Sequence, residues 1–347
     1  MKKFIEDLTN ITGQLKPSLI GSINFKSKLI MAPLAGITTS PFRELMSTCG
    51  AGGVVTELIS SHAITHSNQK TLNMLRLGDE AIPAIQLFGN SPEMMATAAI
   101  IAAKYGAKYI DINMGCPVKK VTSRGAGAAL MKTPAIAAEM IRQVKKSISI
   151  PVTIKIRLGQ NEDKINAEEI VKIAQEEGAE FVTIHGRTLN QGYRGNANWD
   201  IIENIASKYQ IPIVGNGDLF SSEKIKSRLK ITNCKALMLG RGPLKNPFLF
   251  LAELDHNFGI KDYSSLIEIL LSKMVAANYN DKLIITNIKK HAVWLSSGLP
   301  GASKFRYNVF TEHSLTKIMN LALAFFPSNE NSEQITEDES FLAGGHG

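Results

Sequence analysis

Short runs of consecutive apolar, mostly β-branched residues recur along the first two thirds of the chain, each closed by a glycine or a polar cluster. They cover 29–32, 53–56, 84–87, 109–112, 152–156, 181–184, 211–214 and 236–239, giving eight candidate strands. Their hydrophobicity is continuous rather than alternating, which fits strands buried on both faces of a parallel sheet. The intervening stretches read as amphipathic helices with start and stop signals. Ser91-Pro92-Glu93 opens one with a capping serine and a proline at the first helical position, and Thr133-Pro134 opens another in the same way. The helix through 168–177 stops at Gly178. Strand and helix alternating eight times in about 220 residues predicts an α/β chain folded as a (β/α)8 TIM barrel. A doubly wound open sheet would want a glycine-rich first turn, which is absent.

Two other textures flank this pattern. Residues 19–28 predict a short hairpin plugging the lower end of the barrel. After Arg241 the strand signal stops, and apolar positions recur at helical spacing over 262–325, through Leu266, Ile267, Ile269 and Leu270 and again through Ile318, Leu321, Ala324 and Phe325. The predicted organisation is a barrel over 1–253, a small C-terminal helical domain over 254–326, and a disordered acidic tail over 327–347.

Barrel enzymes build their sites at the C-terminal ends of the strands, so the polar residues that follow each strand are the candidates. Gln86, Asn113, Lys155, His185, Asn216 and Arg241 each lie at or just beyond the end of a different strand, 25 to 42 residues apart, about one βα unit, so they can converge on one mouth. Two glycine-rich turns, Gly215-Asn216-Gly217-Asp218 and Gly240-Arg241-Gly242, close the seventh and eighth strands, where barrels hold phosphate on backbone N–H groups. Arg241 can add bidentate charge to that phosphate. Gln86 suits a uracil-like edge, and Lys155 can stabilise negative charge developing on a ring. A phosphate anchor with amide and cationic partners for a flat heterocycle describes FMN. A sugar-phosphate enzyme using Lys155 as a Schiff-base amine shares the phosphate site and stays open at this point.

Composition narrows the setting. The 347 residues are 44% hydrophobic with mean hydropathy near zero, and no window holds the apolar run of about 18 residues that a membrane span needs. Glu6 and Asp7 stand where a signal peptide needs its apolar core, so a cytoplasmic protein without membrane association is expected. Three cysteines without CxxC spacing exclude a disulfide framework and a zinc cluster; Cys49 and Cys234 are expected to be buried hydrophobes. His62 and His66 have the spacing of a metal pair but no third ligand nearby, so no metal is expected and both are read as surface residues. The net charge is +8, yet the five acids after Pro327 leave +13 on residues 1–326, which points to a polyanionic partner, nucleic acid first.

Met31-Ala32-Pro33-Leu34-Ala35-Gly36, Gln86–Gly89, Asp111-Ile112-Asn113-Met114-Gly115-Cys116-Pro117 with Lys119 and Lys120, Lys155–Arg157, His185–Thr188, Asn216–Asp218 and Gly240-Arg241 resemble, in order, the motifs of the tRNA-dihydrouridine synthases, and most of all their bacterial DusB-type branch. The resemblance spans about residues 18–310, and Asn113–Pro117 is its most specific part. It implies bound FMN, NADPH (or NADH) as reductant, and a helical domain that grips tRNA, with no obligate protein partner. It further implies that Pro33, Leu34 and Ala35 line the flavin, that Gln86 and Lys155 contact its ring with His185 beside it, and that Asn216, Gly217, Asp218, Gly240 and Arg241 surround the ribityl phosphate.

The implied reaction is reduction of uridine to 5,6-dihydrouridine in the tRNA D-loop, with a hydride from flavin N5 to C6 and a proton from Cys116 to C5. A thiol with an ordinary pKa near ~8.5 is largely protonated at neutral pH and can serve as that acid. The loop from Gly115 to Gly127, with Lys119, Lys120 and Arg124, is expected to fold over the uridine and touch RNA phosphate, with Asn113 and Arg187 also near the substrate. In the helical domain, eight Lys and Arg against five Asp and Glu over 255–325, including Lys304 and Arg306, suit an RNA backbone. There Leu295-Ser296-Ser297 departs from the family, which commonly has a tyrosine and a basic residue. Two other readings compete: a dihydroorotate dehydrogenase-like FMN barrel acting on a small pyrimidine, which has no use for a basic helical appendage, and an RNA-binding protein whose reductase activity is dispensable.

Overall fold

The computed structural model describes residues 1–334. Eight strands form a closed barrel: β1 (Leu29–Met31), β2 (Gly53–Ser60), β3 (Pro83–Phe88), β4 (Tyr109–Met114), β5 (Val152–Arg157), β6 (Val182–His185), β7 (Ile213–Asn216) and β8 (Ala236–Leu239). Neighbours follow chain order, β8 closes on β1, and every barrel pairing is parallel. Each strand overlaps one of the eight apolar runs, and most of their residues are buried, as continuous hydrophobicity requires.

The packing has two parts. Inside the barrel Ile30, Val55, Ala84, Tyr109, Phe181, Val214, Ala236 and Met238 form one apolar cluster. Its lower end is closed by an antiparallel hairpin, Ser18–Ile20 with Ile23–Phe25, which contributes Ile20, Ile23 and Phe25. The Phe25 ring meets Tyr109 edge-on at 5.8 Å and Phe181 at 6.0 Å. The second cluster lies between the strands and the helices around them.

Helix α1 (Lys2–Thr12) precedes the hairpin and buries Leu8. Outside the barrel run α2 (Ser40–Thr48), α3 (Pro92–Ala103), α4 (Pro134–Ser147), α5 (Ala167–Glu176), α6 (Trp199–Lys208) and α7 (Ser222–Ile231). Ser91 caps α3 as expected, its hydroxyl accepting the Met94 N–H, and Gly178 (φ +77°) turns the chain just after α5. Thr133 stands at the N-cap of α4 with Pro134 next to it, as expected, but its side chain makes no capping bond. The chain enters through a three-ten turn, Gly127–Lys132, and the Thr133 hydroxyl donates back to the Leu130 carbonyl at 3.3 Å.

Beyond β8 the described elements are helical: short turns, then α8 (Tyr263–Ala276), α9 (Asp281–Leu295), α10 (Ala302–Thr311) and α11 (Leu315–Ser328). This layer is fastened to the segment that follows β1. Lys273 of α8 pairs with Glu44 of α2 at 3.2 Å, and His291 of α9 stacks on Phe42 of α2 at 4.9 Å. Burial pushes the His291 pKa down to about 3, so the imidazole packs as a neutral ring. Residues 327–334, placed in the expected tail, are ordered on the helical layer: Pro327 and Ser328 complete α11, and the Gln334 amide donates to the carbonyls of Leu295 and Ser297, both at 2.9 Å. Residues 335–347 of that expected tail lie outside the described residues. Among the described residues no helix is long and apolar enough to cross a membrane.

Candidate active site

The strand register decides which side chains meet. Gln86 stands opposite Asp111, Asp111 opposite Thr153, Asn113 opposite Lys155, and His185 opposite both Arg157 and Asn216. Of these, Gln86, Asn113, Lys155, Arg157, His185 and Asn216 line a cavity of about 650 Å³ at the C-terminal ends of the strands, whereas Asp111 and Thr153 lie deeper in the barrel. That size is in the range of cofactor pockets. It is lined by Pro33, Leu34, Ala35, Gln86, Asn113, Cys116, Lys120, Arg124, Lys155, His185, Arg187, Asn216, Gly217, Asp218, Gly240 and Arg241, all of which sequence reasoning had selected.

Lys119, Lys304 and Arg306 are elsewhere. Lys119 opens the four-residue helix Lys119–Thr122, is exposed and does not line the cavity. Lys304 is exposed on α10, where Arg306 is half-buried with its guanidinium 3.4 Å from the Ser303 hydroxyl. His62 lies on the short helix Ser61–Thr65 and His66 just after it; their rings stack on each other at 4.1 Å. Cys49 and Cys234 are buried, whereas Cys116 is partly exposed at the cavity.

Arg187, expected near the substrate, is held by a carboxylate in the cavity wall. Its side chain is 1% exposed and points into the wall. There it donates to Asp218 Oδ1 at 2.6 Å and to the carbonyls of Arg194 and Gly195. The cost of burying a guanidinium without partners explains that arrangement. Asp218 is correspondingly occupied, since its other oxygen accepts the Ala197 N–H at 2.6 Å. What it offers the cavity is backbone: φ is +54° at Asp218 and +133° at Gly217, where a Cβ would come within 2.6 Å of the Ala197 Cβ. Only glycine fits there without displacing the wall.

Asn113 has its own inward role. Its Oδ1 accepts the N–H groups of Cys116 (2.9 Å) and Gly115 (3.2 Å), fixing the turn that carries the thiol. The Cys116 carbonyl in turn accepts the Ala128 N–H at 3.1 Å, which ties down the far end of the loop. The Arg157 guanidinium donates to the Gly115 carbonyl at 2.9 Å and to Thr188 and Gly192, so the same turn is held from both sides.

The cavity is strongly positive. Lys155 Nζ donates to Asn216 Oδ1 at 3.2 Å; burial first, then Arg157, lowers its pKa to about 8. His185 is held well below the ordinary range by burial and by the four cations Arg157, Lys155, Arg187 and Arg241, so it is neutral. Burial raises the Cys116 thiol above its usual range, opposed by the Val118 N–H, Arg157 and Lys155, so at neutral pH it carries its proton. The site thus combines a positive field, a neutral imidazole and a protonated thiol.

Two further lining residues, Tyr193 and Glu57, organise the site. Tyr193, between the glycines of Gly192-Tyr193-Arg194-Gly195, supports the guanidiniums of Arg241 (4.6 Å from its ring centre) and Arg157 (5.7 Å). An aromatic flanked by glycines in the long loop after β6 was the available signal. Glu57 accepts the Gly36 N–H and so fastens the loop that presents Pro33, Leu34 and Ala35.

This arrangement defines an α/β-barrel enzyme with its chemistry at the strand C-termini. The dihydrouridine synthase (Dus) family profile matches residues 30–328, and the chain belongs to that family of oxidoreductases. It is 36% identical over 324 residues to a probable tRNA-dihydrouridine synthase of Rickettsia bellii, covering 90% of this chain and 99% of that one. It is 37% identical over 303 residues to tRNA-dihydrouridine synthase B of Pasteurella multocida, covering 84% and 91%. Such relatives agree with the DusB-type resemblance. Among solved structures, histamine dehydrogenase from Rhizobium sp. 4-9 shares the fold at a TM-score of 0.56 and 16% identity, over 75% of this chain and 50% of that one. The 6-hydroxypseudooxynicotine amine oxidase of Pseudomonas geniculata N1 does so at 0.56 and 12%, over 75% and 53%. The chain spans about half the length of these structures, and the likeness is one of fold.

Proposed function

We propose that this chain reduces uridine in the D-loop of tRNA to 5,6-dihydrouridine, with FMN as bound cofactor and NADPH as reductant, in the cytoplasm. The observation that carries the reading is Cys116: a partly exposed thiol, its pKa raised by burial, on a turn fixed by Asn113 at the edge of a cationic barrel cavity.

The donor set fits a flavin mononucleotide. At the β7–β8 end, the left-handed Gly217-Asp218 turn and the Arg241 guanidinium suit a phosphate, with Gly240 open beside them. Toward β3–β5, Gln86 and Lys155 suit a ring that must carry negative charge, and Pro33, Leu34 and Ala35 give an apolar wall. When bound and reduced, such a group supplies the hydride that C6 of uridine needs.

The chain's own residues do the rest. Hydride addition leaves negative charge on the pyrimidine, and Cys116 quenches it: the Sγ–H bond breaks as the C5–H bond forms. The thiolate left behind is stabilised by Arg157, Lys155 and the Val118 N–H, and regains a proton from water. Lys120 and Arg124, on the loop beside the thiol, suit the phosphates flanking an extruded nucleotide. On the helical layer, exposed Lys304 is joined on the α10 face by Tyr307 (70% exposed) and Phe310 (57%), a cationic and aromatic surface suited to RNA. The test is to map dihydrouridine in cellular RNA with and without the gene. Loss of defined D-loop sites supports the reading, and an unchanged map refutes it.

A further inference from the structure

Cys116 sits at the end of a hydrogen-bond chain that starts inside the barrel. Thr153 Oγ1 donates to Asp111 Oδ1 at 2.6 Å, and Gln86 Nε2 donates to Asp111 Oδ2 at 2.7 Å. Gln86 Oε1 accepts from Asn113 Nδ2 at 2.8 Å, and Asn113 Oδ1 accepts the N–H groups of Gly115 and Cys116. Asp111, Gln86, Thr153 and Asn113 are all buried.

The sense of this chain is dictated from its ends. Backbone N–H groups can only donate, so Asn113 must turn its oxygen to the Cys116 turn and its NH2 to Gln86. Gln86 must then present its oxygen to Asn113 and its NH2 to Asp111, and Asp111 must accept. An amide flip anywhere would set donor against donor in a buried site, a costly mismatch. We propose that Asp111 is a positioning residue for Cys116: by fixing the orientation of Gln86 and so of Asn113, it holds the thiol-bearing turn where the proton is delivered. This inference rests on the proposed function for its catalytic consequence, and on the hydrogen bonds alone for its structural one.

Substitutions at Asp111 separate this role from general support. Asp111→Asn can keep the chain, because its oxygen can face Gln86 while its NH2 donates to a reoriented Thr153 hydroxyl. Asp111→Leu has similar bulk and cannot accept, so the Gln86 and Asn113 amides lose their fixed sense. In wild type, Asp111→Asn and Asp111→Leu, two quantities are to be measured: hydrogen exchange at the Cys116 amide, with and without flavin, and single-turnover rates of flavin reduction by NADPH and reoxidation by tRNA. The expectation for Asp111→Leu is faster exchange at Cys116 and reoxidation slowed roughly 10–100-fold, the scale of a misplaced reacting group. Flavin reduction should stay within about 2-fold, and Asp111→Asn should stay within about 3-fold of wild type throughout, since its hydrogen-bond chain is intact. The Asp111→Leu loss should vanish in a Cys116→Ala background, because the two act as one unit.

Unchanged exchange at Cys116 in Asp111→Leu overturns the relay, whatever the enzyme reduces. So does an equal slowing of both half-reactions, or a loss that persists undiminished without the thiol. Should Asp111→Leu fail to fold, Gln86→Leu breaks the next link and is read the same way at the Cys116 amide. Faster exchange at that amide with no uridine reduction by wild type would uphold the structural relay while refuting the proposed function and the catalytic part.

Discussion

Arg187 Nη1 donates to Asp218 Oδ1 at 2.6 Å, linking the loop after β6 to the left-handed turn after β7. A guanidinium so deeply buried braces the turn proposed to hold the flavin phosphate. Arg187→Met should therefore weaken FMN binding by about tenfold or more, in line with the ~3–5 kcal/mol that breaking a buried ion pair costs. Titration of the apoprotein with FMN measures this. A variant with native flavin affinity and weakened tRNA binding would restore Arg187 to the RNA surface.

Lys155 has a pKa lowered to about 8, by burial first and Arg157 second. Its charge fades as pH rises through that value, so apoprotein should bind FMN more weakly at pH about 9 than at about 7. Lys155→Met should weaken binding about tenfold or more at pH about 7 and flatten the pH dependence, as loss of a charge-assisted contact predicts. On stability the sign is the reverse of an ion pair's. Between about 8 and the unfolded value near ~10.4 the folded chain binds fewer protons, so the lysine's cost to folding lessens as pH rises across that window. An affinity equal at both pH values in the wild type would mean that Lys155 does not face the cofactor.

Tyr307 and Phe310 lie three residues apart on α10, and Lys289 of α9 braces the end of that helix by donating to the Phe310 carbonyl at 2.8 Å. Replacing both aromatics with alanine should weaken tRNA binding about tenfold or more, at ~1–3 kcal/mol per stacked base. Lys304→Ala should lower the slope of log affinity against log salt by about 1. Both variants should keep normal flavin reduction by NADPH. Native tRNA affinity in the double variant would place the RNA on another face.

How far the sequence could be read follows from what each signal depends on. The barrel was legible because a strand buried on both faces must be continuously apolar, and all eight runs match observed strands. The ring of site residues was legible because each lies within two residues of the C-terminal end of a strand, so Gln86, Asn113, Lys155, His185, Asn216 and Arg241 come together at one mouth. The direction in which a side chain points was not legible. Arg187 and Arg241 are both arginines after a strand; only packing turns Arg187 into the wall. Thr133 stands at the N-cap as the sequence suggests, but its hydroxyl turns to the Leu130 carbonyl of the three-ten turn before it. Tyr193 was not legible because its partners, Arg157 and Arg241, lie 36 or more residues away, and local pattern carries no such information.

The central claim is that Cys116 delivers the proton to C5 and has no part in loading the enzyme with electrons. Stopped-flow absorbance of flavin in wild type and Cys116→Ala follows the two half-reactions separately. The account predicts that Cys116→Ala binds flavin and is reduced by NADPH at the wild-type rate, while reoxidation by tRNA uridine slows by ~10²–10⁴, the usual worth of a positioned acid. Reoxidation at the wild-type rate, with normal dihydrouridine formed, would contradict it.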